Sequence, residues 1–119
     1  MTAEDKIIDL EDALQRVDGD RELYLELIEI FFSDYDKNLA SLKDHQKVGD
    51  VKKFKEVIHM MKGVLGNISA KRSYHQAAKM DGQVKGGSLT GMEIEIPKLE
   101  TYVAEFKIAA AQYKATGKA

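Results

Sequence analysis

An all-α domain is the fold class this sequence predicts, arranged as an antiparallel up-and-down four-helix bundle with an additional short N-terminal helix. Three observations lead there. Apolar residues recur every three to four positions through most of the chain, alternating patterns of the β type are scarce, and the periodic stretches are separated by short turn-forming clusters. With 119 residues and 44% hydrophobic content the chain has the size of one domain with an ordinary core, so 1–119 is read as a single unit.

The first helix is expected from about Ile7 to Val17, presenting Ile7, Leu10, Leu14 and Val17 to the core. Asp18, Gly19 and Asp20 then supply a stop, a turn and an N-cap. The second helix is expected from about Arg21 to Asp44, with Tyr24, Leu27, Ile28, Phe31, Tyr35, Leu39 and Leu42 on one stripe. That spacing marks the aromatics as core residues rather than a ligand box. Lys47, Val48, Gly49 and Asp50 form the next turn and cap, and open a third helix that runs to about Ile68. Ser69 is expected to cap a fourth, from about Ala70 to Lys85, which carries Ala70, Tyr74, Ala77, Ala78, Asp81 and Val84 along one face and stops at Gly86 and Gly87. Met92 to Ile96 read either as an extended loop ending at Pro97 in the first helical turn or as an earlier helical turn kinked there; the last helix is expected over Lys98 to Lys114, its regular part beginning close to Pro97.

Composition excludes several functions. Without cysteine there is no disulfide framework, thiolate nucleophile or zinc-ribbon spacing. The residues before Ile7 and Ile8 contain no long apolar segment, so neither a signal peptide nor a membrane span is expected, and the expected location is cytoplasmic. A net charge of −2, with 18 basic and 20 acidic residues interspersed, gives no drive toward nucleic acid. Lys52, Lys53, Lys55 and Lys62 form a local lysine cluster that reads either as an anion-binding patch or, as is commoner, as a solvated helix face, and its coincidence with His59 favours the functional reading.

The third helix holds the most informative residue. Phe54, Val57, Ile58, Met61, Val64, Leu65 and Ile68 fall in a sector roughly 120° wide at 100° per residue, and His59 lies about 160° from its middle. Lys52, Lys55, Lys62, Gly63 and Gly66 share the outward side. Each mid-helix glycine costs on the order of 1 kcal/mol relative to alanine. Gly63 is one turn above His59, where a side chain would overhang the ring, and both glycines are expected to face the histidine and not the core.

An imidazole, with an ordinary pKa of about 6.5, is largely neutral near pH 7 and is then a good nucleophile that can take a phosphoryl group on a ring nitrogen. Phosphoryl transfer needs positioning and charge neutralisation above all. Lys62, one turn after His59, is the expected electrostatic support, with Lys55 a weaker candidate.

His59, Met60, Met61, Lys62 and Gly63, followed by Asn67, Ile68, Ser69 and Ala70, resemble the signature of the histidine phosphotransfer (HPt) domain family. The runs Ala13 to Asp20 and Leu23 to Phe31 are similar to that family's opening helices, so the likeness spans about Leu10 to Lys85. It implies a four-helix bundle that shuttles a phosphoryl group between aspartates of response-regulator receiver domains, including those of hybrid sensor kinases, in a multistep phosphorelay. His59 would be the phosphoacceptor, Lys62 its electrostatic neighbour and Gly63 the clearance for a docking receiver, with Lys55, Gly66 and Asn67 on the partner-binding face. The carrier would need no cofactor of its own, Mg²⁺ being supplied in the partner receiver, and would act as a freestanding monomer. Val64 and Leu65 depart from the small polar pair common after the family's glycine, Gly66 is an extra glycine, and Ser69 stands where a later glycine is usual.

Two other readings compete. Glu56 and His59 form a Glu-x-x-His sequence of the di-iron bundle kind, but no second such sequence accompanies it and the histidine points outward. His45, near a helix end, and His75, beside an apolar face, read as ordinary surface histidines. The stronger rival is a non-phosphorylated helical-bundle adaptor that binds a signalling partner through the same face. An autonomous enzyme is not expected, since no Walker-type glycine loop and no acid–base pair are legible.

Overall fold

Five helices account for the fold of this protein, whose computed structural model describes residues 6–118. They are α1 (Leu10–Arg16), α2 (Arg21–Val48), α3 (Val51–Asn67), α4 (Lys71–Val84) and α5 (Met92–Thr116), and no strand occurs among the described residues. The expectation of a leader without a long apolar run concerns in part residues 1–5, which lie outside the described residues. No described helix is long and apolar enough to cross a membrane.

Aspartates open the first three helices, each accepting a hydrogen bond from a backbone N–H two or three residues into the first turn: Asp9 from Asp12, Asp20 from Leu23 and Asp50 from Lys53. The cap at Asp9 makes α1 shorter than expected, because Ile7 and Ile8 precede the helix. The backbone there is used differently: the Lys6 carbonyl accepts from the Arg72 N–H at 2.8 Å and the Asp9 N–H donates to the Ser69 carbonyl at 3.0 Å. This N-terminal segment therefore lies along the α3–α4 turn. At its other end α2 overruns Asp44 and continues to Val48, where Gly49 takes the left-handed conformation at φ 75° that ends it.

Ser69 is not the cap of α4. Ala70 occupies that position with no side-chain hydrogen bond, while Ser69 sits at φ 55° and donates its hydroxyl to Asp12 Oδ2 at 2.7 Å. The serine tightens the α3–α4 turn and ties it to α1. A further correction falls on α5, which begins at Met92 with Pro97 inside it. Burial decides this start: Met92, Ile96 and Leu99 are all in the core, and the Gln76 side-chain amide holds Glu95 through both its carbonyl (3.0 Å) and its carboxylate (2.9 Å). The carbonyl that loses its partner to the proline belongs to Glu93, on the exposed side.

α2 packs against α3 and α5, α3 against α4, and α4 against α5, while α1 rests on α2. Twenty-eight residues at 1.5 Å each make α2 about 42 Å long, which equals the longest dimension of the molecule, 42 Å. Phe54, Ile58 and Leu65 from α3 meet Leu42, Met80, Leu99 and Phe106 in one continuous core. Tyr24 is buried among them and donates its hydroxyl to the Ile68 carbonyl at 2.7 Å, satisfying a carbonyl at the C-terminal end of α3.

Candidate functional site

The faces of α3 separate as its periodicity requires. Ile58 and Met61 are buried, and between them in sequence the His59 side chain is 72% exposed. It is not unshielded on every side, however. α4 runs alongside α3, and from it Asp81 brings Oδ2 to 3.3 Å from His59 Nδ1 and 3.1 Å from Lys62 Nζ. One carboxylate oxygen thus gathers the histidine and the lysine.

Asp81 is only 4% exposed, and it sits in the apolar stripe of α4 beside Ala77, Met80 and Val84. Burial pushes a carboxyl's pKa up, and this is the largest single influence on Asp81. The hydrogen bonds from Lys62 and His59, with the Coulombic pull of the same two groups, together outweigh it and hold the carboxyl below its ordinary value. An ionised carboxylate only accepts, so the contact with His59 requires the proton on Nδ1. In the neutral imidazole, Nε2 then carries the free lone pair, and among the described residues it has no partner. This histidine–carboxylate contact bridges two helices.

Lys62 lies where expected, one turn after His59, but its charge is already engaged by Asp81. Lys55, Glu56, His59, Lys62, Asp81 and Lys85 line one open depression of 380 Å³. Lys85 and Asp81 are the residues that the reading of the sequence missed. An acid inside an otherwise apolar helical stripe was the available signal for Asp81, since a buried carboxylate needs charged or hydrogen-bonding partners. For Lys85 no local signal existed.

The two glycines behave differently. A Cβ on Gly63 would meet nothing within 4 Å, so this position is open to the outside. On Gly66 the same atom would come to 3.1 and 3.2 Å from the Tyr74 ring. Gly66 therefore packs closely between α3 and α4, which its outward position on α3 alone did not suggest. Asn67, the last residue of α3, is exposed. On the flank opposite α4, Met60, Met61 and Val64 join Ile30, Phe31 and Tyr35 of α2 around a groove of 90 Å³, at which Ile30 is 60% and Met60 40% exposed. His45 lies in the last turn of α2, and His75 is exposed with its ring edge-on to Tyr74.

Comparisons with family models, with curated proteins and with solved structures find none that matches this chain.

Proposed function

We propose that this protein is a phosphocarrier of the histidine phosphotransfer kind, which accepts a phosphoryl group on His59 from an aspartyl phosphate of a receiver domain and returns it to another. The observation that carries the reading is the exposed His59, held at Nδ1 by a buried carboxylate so that Nε2 is the free nucleophile. In the transfer, the Nε2 lone pair attacks phosphorus and the acyl P–O bond of the donor breaks, its electron pair leaving on the donor's carboxylate. The proton on Nδ1 stays hydrogen-bonded to Asp81, which stabilises the positive charge that develops on the ring. Transfer onward runs through the same steps in reverse.

The finer architecture belongs to the same proposal: α2 to α5 form an antiparallel up-and-down four-helix bundle with α1 as the additional element. The cyclic order of neighbours, α2 to α3 to α4 to α5 and back to α2, supports it. Open space at Gly63 gives a receiver room to approach, and the apolar side chains of Ile30, Met60 and Val64 offer it a surface to cover. The carrier acts as a cytoplasmic monomer without a cofactor of its own, Mg²⁺ entering with the receiver.

Incubation with a phosphorylated receiver domain tests this reading. An acid-labile, base-stable adduct that vanishes in His59→Gln is expected. Undiminished labelling of that variant would remove His59 from the role. Receiver binding with no label on the parent protein would instead favour the adaptor.

A further inference from the structure

The charge around His59 is unevenly committed. Lys62 Nζ and His59 Nδ1 share Asp81 Oδ2, so the lysine expected to receive the phosphoryl oxygens already balances a buried carboxylate. Lys55 and Lys85 have no acid within ion-pair distance among the described residues, and both line the depression that contains His59. Their placement follows from helical spacing. Lys55 precedes His59 by four residues on α3, and Lys85 follows Asp81 by four at the end of α4, so each stands one turn along the same face from a member of the pair. The end of α4 before Gly86 and Gly87, the latter at φ 88°, leaves Lys85 as the C-cap beside this depression.

Charge arithmetic separates the roles. A phosphoryl group brings between one and two negative charges near neutral pH. The Asp81–Lys62 pair is internally neutral, and Glu56 is the remaining acid at the depression. The two uncommitted cations are thus those needed to make the site attractive to a dianion.

Building on the phosphocarrier reading, we propose that Lys55 and Lys85 clamp the phosphoryl group on His59 Nε2 from two helices, while Lys62 serves mainly to hold Asp81. Lys85 thereby becomes a phosphate-binding residue, and the group held is a tetrahedral phosphoryl carried on a ring nitrogen.

Phosphoramidate, a small phosphoryl donor, tests this without a receiver. Its P–N bond breaks as the Nε2–P bond forms, and ammonia leaves with a proton from solvent. In Lys55→Gln and Lys85→Gln the labelling rate should fall about threefold each, and about tenfold in the double variant, with a matching shortening of the adduct's lifetime. Raising the salt concentration should narrow the gap to the parent protein. Thermal melts should be unchanged, since neither lysine makes an ion pair among the described residues. A double variant that labels and hydrolyses like the parent would overturn the clamp while leaving His59 as acceptor. A parent protein that gives no adduct at His59 would overturn both readings together.

Discussion

The carboxylate of Asp81, whose side chain is 6% exposed, lies 3.3 Å from Nδ1 of a histidine whose side chain is 72% open to water. The acid is fixed by its surroundings and the base is not, so orientation flows from Asp81 to His59. Asp81→Asn keeps the volume but removes the charge that requires a proton on Nδ1. It should slow phosphoryl transfer through His59 about tenfold, with a stability loss of about 1–2 kcal/mol. Transfer rate and denaturant midpoint, measured on the same preparation, check the two parts separately. An unchanged rate would mean that the ring is positioned without Asp81. The sign of the pH effect follows from the lowered pKa: the ionised Asp81 contributes fully above the ordinary carboxylate value, and its contribution is lost as pH falls through its folded value.

Gly63 and Gly66 give opposite predictions. A methyl group at Gly63 meets open space, and alanine is the better helix former, so Gly63→Ala should raise stability by up to about 1 kcal/mol. Gly63→Leu should also fold, yet slow transfer from a receiver by blocking its approach to His59. At Gly66 an added methyl group presses on the Tyr74 ring, and Gly66→Leu should cost about 1–3 kcal/mol by overpacking. Chemical denaturation distinguishes the two positions, and receiver-dependent labelling shows which of them faces a partner.

Helix identity and the outward direction of His59 were legible because both follow from spacing along a single helix. What the sequence concealed was pairwise. Asp81 and His59 stand 22 residues apart, and their meeting depends on the register of α3 against α4. That register also decides which glycine touches Tyr74, so Gly63 and Gly66, close neighbours on one helix, looked alike before α4 was placed. Ser69 was misread for a similar reason: its best partner is Asp12, on a distant helix, and a local N-cap was the nearest use for its hydroxyl.

The Asp12–Ser69 link predicts an acid-sensitive α1. Hydrogen bonds from Ser69 and Arg16 lower the Asp12 pKa from 3.8 to about 2, against a smaller opposing effect of burial, and Lys71 adds a further ion pair at 3.2 Å. A depressed carboxyl stabilises the folded state above its unfolded value and ceases to do so as pH falls through its folded value. Stability should therefore drop between about pH 4 and pH 2. Asp12→Asn should be less stable than the parent at neutral pH and show a shallower fall across that range. Hydrogen exchange of the Asp9 amide, bonded to the Ser69 carbonyl, reports whether the N-terminal segment loosens in step. Equal slopes in the two proteins would place the acid sensitivity in another carboxylate.

Pro97 yields the last prediction because its position sets two preferences against each other. As the sixth residue of α5 it cannot donate to the Glu93 carbonyl, a cost that in a helix interior reaches about 3 kcal/mol relative to alanine. Burial of Met92 and Ile96, and the grip of Gln76 on Glu95, carry the helix back through it all the same. Those contacts lie on the core side, whereas Pro97 itself is exposed. Pro97→Ala should therefore restore the missing hydrogen bond without touching the core, raising stability by about 1–3 kcal/mol. Gln76→Leu removes the polar hold on Glu95 and should act in the opposite direction, by about 1–3 kcal/mol, leaving a buried carboxylate with weaker partners. Denaturant midpoints for the two single variants and their combination check the account. If Pro97→Ala destabilises the protein, the proline's rigidity contributes more to starting α5 than its missing donor takes away.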